Sequence, residues 1–182
     1  MKKHIHITGA SGSGTTTLAK ALSEELGYAH FDTDNYYWLP TEPPYTDKRP
    51  INERLELIKK EMDKADKWIL SGSNCSWGDS LIERYDLVIF LYVPKDTRMK
   101  RLIQREKERY PIERISCGGD LYDSHNTFIQ WAAAYDEGGE KLRSLYVHNE
   151  WLKKLKCDVI RIEGEKSVKE SMDLVKNKLG RL

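Results

Sequence analysis

Nine residues near the start of the chain, G-A-S-G-S-G-T-T-T from Gly9 to Thr17, constrain its fold more than any other feature. An apolar run with Ile5 and Ile7 precedes them and a helical pattern follows, so they lie where a strand hands over to a helix. A turn of this kind directs main-chain N–H groups inward, adds the positive end of a helix dipole, and so suits a polyphosphate. The established spacing is G-x-x-x-x-G-K-[ST]. Gly9 and Gly14 keep it, Thr15 stands where the lysine belongs, and Thr16 keeps the hydroxyl that would face Mg²⁺. Gly9, Ser11, Gly12, Ser13, Gly14, Thr15, Thr16 and Thr17 are therefore the expected phosphate-binding set. A ligand-free turn is the competing reading, but three glycines are entropically costly for that purpose. The absent ammonium normally neutralises β- and γ-phosphate charge, so another cation has to supply it.

With 182 residues the chain is read as one domain, 1–182, able to bury a substantial core. Thirty Lys and Arg against 29 Asp and Glu leave a formal net charge of +1, so no overall field draws it to nucleic acid or an anionic membrane. Cys75, Cys117 and Cys157 are odd in number and lack paired metal spacing, which points to a reducing compartment. The first residues lack the long apolar region of a secretory signal, and no run reaches the length of a membrane span. A cytoplasmic protein is expected.

The chain then alternates strand and helix. His4–Thr8 reads as a strand and Thr15–Leu26 as a helix, with Leu18, Leu22 and Leu26 on one stripe. A second strand, Tyr28–Phe31, delivers F-D-T-D at its carboxyl end. In extended backbone Asp32 and Asp34 would point to the same side, a pair suited to a magnesium ion and to an acceptor's proton; capping a helix is their plainer use. Residues 39–50 hold four prolines and read as irregular, 51–65 as helix, and 68–70 as a third strand. Asp86–Val93 is a continuous apolar run of the kind parallel sheets bury on both faces. In the next helix Arg98, Arg101, Arg105 and Arg109, at steps of three, four and four, share a face and are the candidates to replace the lysine's charge. Pro111–Ser124, with Gly118 and Gly119, reads as a mobile lid segment, and 125–155 as helix broken at Gly138 and Gly139. Phe128, Trp131, Ala132 and Tyr135 read as core, while His125, Asp136, Arg143 and His148 are weighed as acceptor contacts or structural groups. A fifth strand, 159–162, a turn at 163–166 expected to carry the nucleotide base, and a helix over 168–179 complete the chain.

Strand–helix alternation predicts an α/β fold with a mostly parallel sheet covered on both faces. Together with the loop, the Asp32/Asp34 pair and the arginine helix, the chain resembles the small P-loop kinases, which include nucleoside monophosphate and shikimate kinases. That resemblance implies a P-loop NTPase three-layer sandwich, a five-stranded parallel sheet, an acceptor-side insertion at about 35–66 and a helical lid at about 110–138. In shikimate kinases a similar aspartate pair follows the second strand, which gives Asp32 a role at magnesium and Asp34 one at the acceptor hydroxyl. The lid helix of monophosphate kinases gives Arg101 and Arg105 a place over the transferred phosphoryl group; Arg109, on the same face, is expected at the nucleotide. A loop without lysine is similar to that of archaeal cytidylate kinases, so Thr15 is compatible with activity. The chain also looks like bacterial adenylate-kinase-like proteins with D-T-D-x-Y-Y-W segments, but S-G-S-N-C-S-W replaces the D-G-F-P-R of adenylate kinases. The expected activity is transfer of the γ-phosphoryl of ATP, with Mg²⁺, to a small metabolite or nucleotide. The alternative is a nucleotide-binding switch or inactive relative. Expected partners are a nucleoside triphosphate and a small-molecule acceptor, with no nucleic acid and no membrane, in a monomer or homodimer.

Overall fold

The computed structural model describes residues 2–180. Its centre is a sheet of five parallel strands in the order β2-β3-β1-β4-β5. These are β1 (His4–Gly9), β2 (Ala29–Asp32), β3 (Trp68–Ser71), β4 (Leu87–Tyr92) and β5 (Asp158–Glu163). The alternation of side chains along β4 divides its apolar run between two cores. Leu87, Ile89 and Leu91 pack on one face, Val88 and Phe90 on the other. Burying each such side chain stabilises the fold by about 1.5–3 kcal/mol, which is why this stretch has no polar face.

Helices α1 (Thr15–Leu26) and α8 (Val168–Leu179) cover the first face, where Leu18, Ala19, Leu22 and Val175 meet Ile5 and Ile7. The second face is covered by α2 (Thr33–Tyr37), α3 (Ile51–Met62) and α7 (Leu145–Leu152), through Tyr36, Ile58, Met62, Trp151 and Leu152. Two helical layers around one sheet are the expected three-layer sandwich. Between them run α4 (Lys95–Arg109), the short α5 (Ile112–Ile115) and α6 (Tyr122–Ala133).

Three local expectations change. Asp34 is not in extended backbone, because Asp32 caps α2 and accepts a hydrogen bond from the Asp34 N–H at 3.0 Å. The two aspartates therefore leave the backbone at a strand end and in a helical turn, not on one strand face. The helix expected over 125–155 is broken around Gly138 and Gly139 as read, but its bounds shift: α6 begins earlier, at Tyr122, and ends at Ala133, and α7 begins only where Ser144 accepts from the Val147 N–H at 3.1 Å. Residues 111–124 are folded as well. They contain α5, a Gly119 N–H to Ser116 carbonyl bond of 2.8 Å, and an Arg114–Asp120 ion pair of 2.7 Å.

Residues 39–50 are irregular except where Trp38 bridges Lys48 and the Leu39 N–H donates to the Asp47 carbonyl at 2.8 Å. All three cysteines are free thiols. Among the described residues no helix is long and apolar enough to cross a membrane.

Candidate active site

β1 lies between β3 and β4, so the connection leaving its carboxyl end falls where the order of strands reverses direction. Open α/β sheets present ligands at such a point. The Gly9–Thr17 loop occupies it. Gly14, the N-cap of α1, has φ of 92° and ψ of 19°, a left-handed conformation that strains a residue with a side chain. No side chain caps α1, and its first turn carries no acidic residue, so the leading amides are left for an anion. Gly12 brings the loop against α4: a Cβ there would lie 2.7 Å from the Arg98 carbonyl oxygen.

Asp32 is fixed by three donors. Its Oδ2 accepts from the Thr16 hydroxyl at 2.8 Å and from the Ser71 hydroxyl at 2.9 Å, and its Oδ1 from the Asp34 N–H. Thr16, by donating to Asp32, keeps its oxygen lone pairs for a cation. Among the described residues no three His, Cys, Asp or Glu side chains form a metal cluster. Magnesium needs none, since it binds through one or two carboxylates together with phosphate oxygens and water. The hydroxyl and carboxylate pair fits that donor set.

Asp34 keeps solvent access from the cleft. Its carboxyl is pushed above the usual aspartate range, first by desolvation and then by the Asp32 carboxylate. The charges of Arg143, Arg105 and Arg109 act in the opposite direction. Arg105 and Arg109 thus face the same cleft as Asp34. Both also lie against Glu106, at 3.7 and 3.4 Å, and the Arg109 guanidinium sits 4.7 Å from the ring centre of Tyr45.

The other two arginines of α4 do something else. Arg101 pairs with Glu165 at 3.6 Å, beside the turn expected to carry the base, and is not among the charges that bear most on Asp34. Arg98 leaves the expected phosphate-facing stripe altogether. It is fully buried, donates to the carbonyls of Val93 and Ala132, and pairs with Asp136.

Arg143, weighed in the sequence as an acceptor contact or a structural group, is a cation outside the candidates to replace the lysine. Its Nη2 donates to the Ser11 hydroxyl at 2.6 Å, and its guanidinium lies 4.4 Å from the Trp131 ring centre. The crevice between Ser11, Trp131, Tyr135 and Arg143 leaves no room for a water molecule, so the guanidinium rests directly on the phosphate loop. Desolvation pulls its pKa down, and Asp34 leads the groups that hold it up. The signal in the sequence is faint: Trp131 and Tyr135 keep helical spacing, and Trp131 serves as a platform for the guanidinium as well as packing.

In the stretch expected to form the acceptor-side insertion, Arg54 is buried, donates to the Arg49 carbonyl at 2.6 Å, and stacks 3.8 Å over Tyr37. Arg49, weighed as an anion contact or a solvated charge, instead donates to the Tyr36 carbonyl at 3.1 Å.

The chain is similar to several known proteins. A family described as AAA domain matches residues 5–121. YqaC of Bacillus subtilis (strain 168) is 49% identical over 175 residues, covering 96% of each chain. A cytidylate kinase of Methanobrevibacter smithii is 30% identical over 146 residues, covering 72% of this chain and 85% of its own. Among solved structures, a shikimate kinase from Bacteroides thetaiotaomicron superposes with a TM-score of 0.59 at 19% identity, covering 99% of both chains. A deoxyadenosine kinase from M. mycoides with bound dCTP gives 0.51 at 16% identity over 98% of this chain and 100% of its own.

Proposed function

Because this chain belongs to the AAA domain family and has the fold of the small P-loop kinases, we propose that it transfers the γ-phosphoryl group of ATP to a hydroxyl or phosphate of a small metabolite or nucleotide. The observation that carries this reading is the Asp34 carboxyl, set beside a phosphate loop and facing Arg105, Arg109 and Arg143. A group that takes a proton from an acceptor and a set of cations that balance phosphoryl charge are what the reaction needs of a protein.

In this reading the amides from Gly12 to Thr16 bind the β-phosphate. Thr16 and Asp32 would hold Mg²⁺, which when bound would offset negative charge on the phosphates. Asp34 orients the acceptor and accepts its proton. Arg143, already on Ser11, carries the charge that the lysine would have supplied at Thr15, and Arg105 and Arg109 add theirs from α4. Arg101, expected over the phosphoryl group, would first have to leave Glu165. The segment around 110–138 acts as the lid and 35–66 as the acceptor-side insertion. The relatives' names suggest nucleoside monophosphates and hydroxy acids as acceptors.

The test is product formation with ATP and Mg²⁺ across a panel including CMP, AMP and shikimate. ADP and a phosphorylated acceptor are expected, with turnover abolished in Thr16→Ala and Asp34→Asn. Thr15 favours a second reading, a nucleotide-binding switch without transfer; ATP binding with no product from any acceptor would establish it in place of the first.

A further inference from the structure

Ser73, Tyr135 and His148 have no part in the transfer just described, yet they form a chain of hydrogen bonds that ends at Ser73, just past the carboxyl end of β3. His148 is fully buried on α7. Its Nδ1 lies 2.6 Å from the Tyr135 hydroxyl and its Nε2 lies 2.9 Å from Ser73 Oγ. Phe90 packs edge-on against the ring, with centroids 5.6 Å apart. Burial and the charge of Arg143 push the His148 pKa down to about 3, so the imidazole is neutral and carries one ring hydrogen.

Tyr135 decides which nitrogen holds that hydrogen. The phenol is 3% exposed, and among the described residues His148 is its one hydrogen-bond partner. A hydrogen on Nδ1 would point at the phenol oxygen and leave the phenol's own hydrogen buried without an acceptor, which is the costlier arrangement. Tyr135 therefore donates to Nδ1, and the Nε2–H donates to Ser73 Oγ. The hydroxyl hydrogen of Ser73 is then free to turn elsewhere. The neighbouring Cys75 thiol is only a weak acceptor for it.

Ser73 is half-buried, two residues beyond the end of β3, on the edge of the sheet that carries Asp32 and the phosphate loop. Arg143 bears on His148, on Cys75 and on Asp34, so one guanidinium links Ser73's surroundings to the proposed base.

We propose that Ser73 is a specificity-determining donor to an anionic oxygen of the acceptor, a phosphate or carboxylate, and that Tyr135 and His148 are positioning residues that aim its hydroxyl. For the acceptor's part this rests on the phosphoryl-transfer reading. The aim of the hydroxyl does not.

Two measurements test it. In uniformly ¹⁵N-labelled protein at neutral pH, long-range ¹H–¹⁵N correlation of the histidine rings reads the tautomer of His148. The Nε2–H form is expected in the wild type, with the preference lost in Tyr135→Phe. An Nδ1–H form in the wild type would commit the Ser73 hydrogen to the histidine and overturn the proposal.

Steady-state kinetics with CMP, which offers a phosphate, and shikimate, which offers a carboxylate, then reads the acceptor. For whichever is phosphorylated, Ser73→Ala should raise the acceptor KM about tenfold while leaving the KM for ATP in place, and Ser73→Thr should restore it. An acceptor KM unmoved by Ser73→Ala overturns the proposal. Should the wild type phosphorylate neither, the same comparison is made with whichever acceptor of the wider panel is turned over; if none is, the transfer reading falls and with it the role at the acceptor, and the tautomer alone decides the orientation.

Discussion

At position 15 the chain gives up an ammonium, and at position 143 it provides a guanidinium that no motif announces. In K-L-R-S-L the arginine belongs to no motif and has no periodic partner to give it meaning. Its significance appears only when the fold carries it across 132 residues onto Ser11. Thr16 and Asp32 were legible because motif spacing names the first and a strand's end the second, whereas the helical turn that holds Asp34 was not. The charge around Asp34 gives a pH dependence. Only the ionised carboxylate can accept a proton, so its pKa in the free enzyme sets the acidic limb of kcat/KM. Desolvation and Asp32 raise that pKa, which places the limb above the pH of an ordinary aspartate. Arg143 pulls the other way, so Arg143→Gln should move the limb to still higher pH and lower kcat/KM by about 10²–10³-fold. Adding Thr15→Lys to that variant should recover part of the loss by returning a cation to the loop. Profiles of kcat/KM from about pH 4 to 9 check both outcomes. A limb that stays in place when Arg143 is removed would separate the two residues.

Elements with one dominant cause were readable, and those governed by tertiary contact were not. β4 declares itself because each of its residues from Leu87 to Leu91 is buried, and α1 because its leucines keep one stripe. Helix α4 shows the limit of periodicity. Steps of three and four put Arg98, Arg101, Arg105 and Arg109 on one broad face, but spacing says nothing about what covers each turn of it. The first turn lies beneath the end of α6, where Arg98 satisfies two carbonyls and Asp136; later turns open toward Glu165 and then toward Asp34. Arg98 is therefore a brace between α4 and the segment after α6. Arg98→Ala would strand the Asp136 carboxylate and leave the carbonyls of Val93 and Ala132 without those donors. Removing one partner of a buried pair costs about 3–5 kcal/mol. In urea unfolding this should appear as a lower midpoint at an unchanged m-value. A loss well under about 1 kcal/mol would show that the brace carries little of the fold's stability.

The cleft is assembled from stretches far apart in the chain: the loop at 9–17, the turn at 32–34, the end of α4 near Arg109, and Arg143 ahead of α7. A five-stranded parallel sheet covered on both faces could be anticipated because burial repeats along the sequence, whereas the order of its strands could not. The convergence of charge on Asp34 could not, because it depends on how the 134–144 segment folds back over the loop. A triphosphate gripped by the loop amides and by Arg143 would link these stretches, and its effect should be felt by the whole molecule. At a hundredfold excess over Kd, a ligand that binds only the folded state adds about 2.7 kcal/mol. For a chain of this size that corresponds to a Tm rise of roughly 5–10 °C. With ATP and Mg²⁺, amide hydrogen exchange should slow in two separated segments, 9–17 and 134–144. In Arg143→Gln the first should keep its added protection and the second should lose it, because the loop amides bind phosphate by themselves while the later segment responds only through its guanidinium. Protection confined to 9–17 in the wild type would mean that Arg143 does not reach the nucleotide, and the charge missing at Thr15 would then have to come from Arg105 or Arg109.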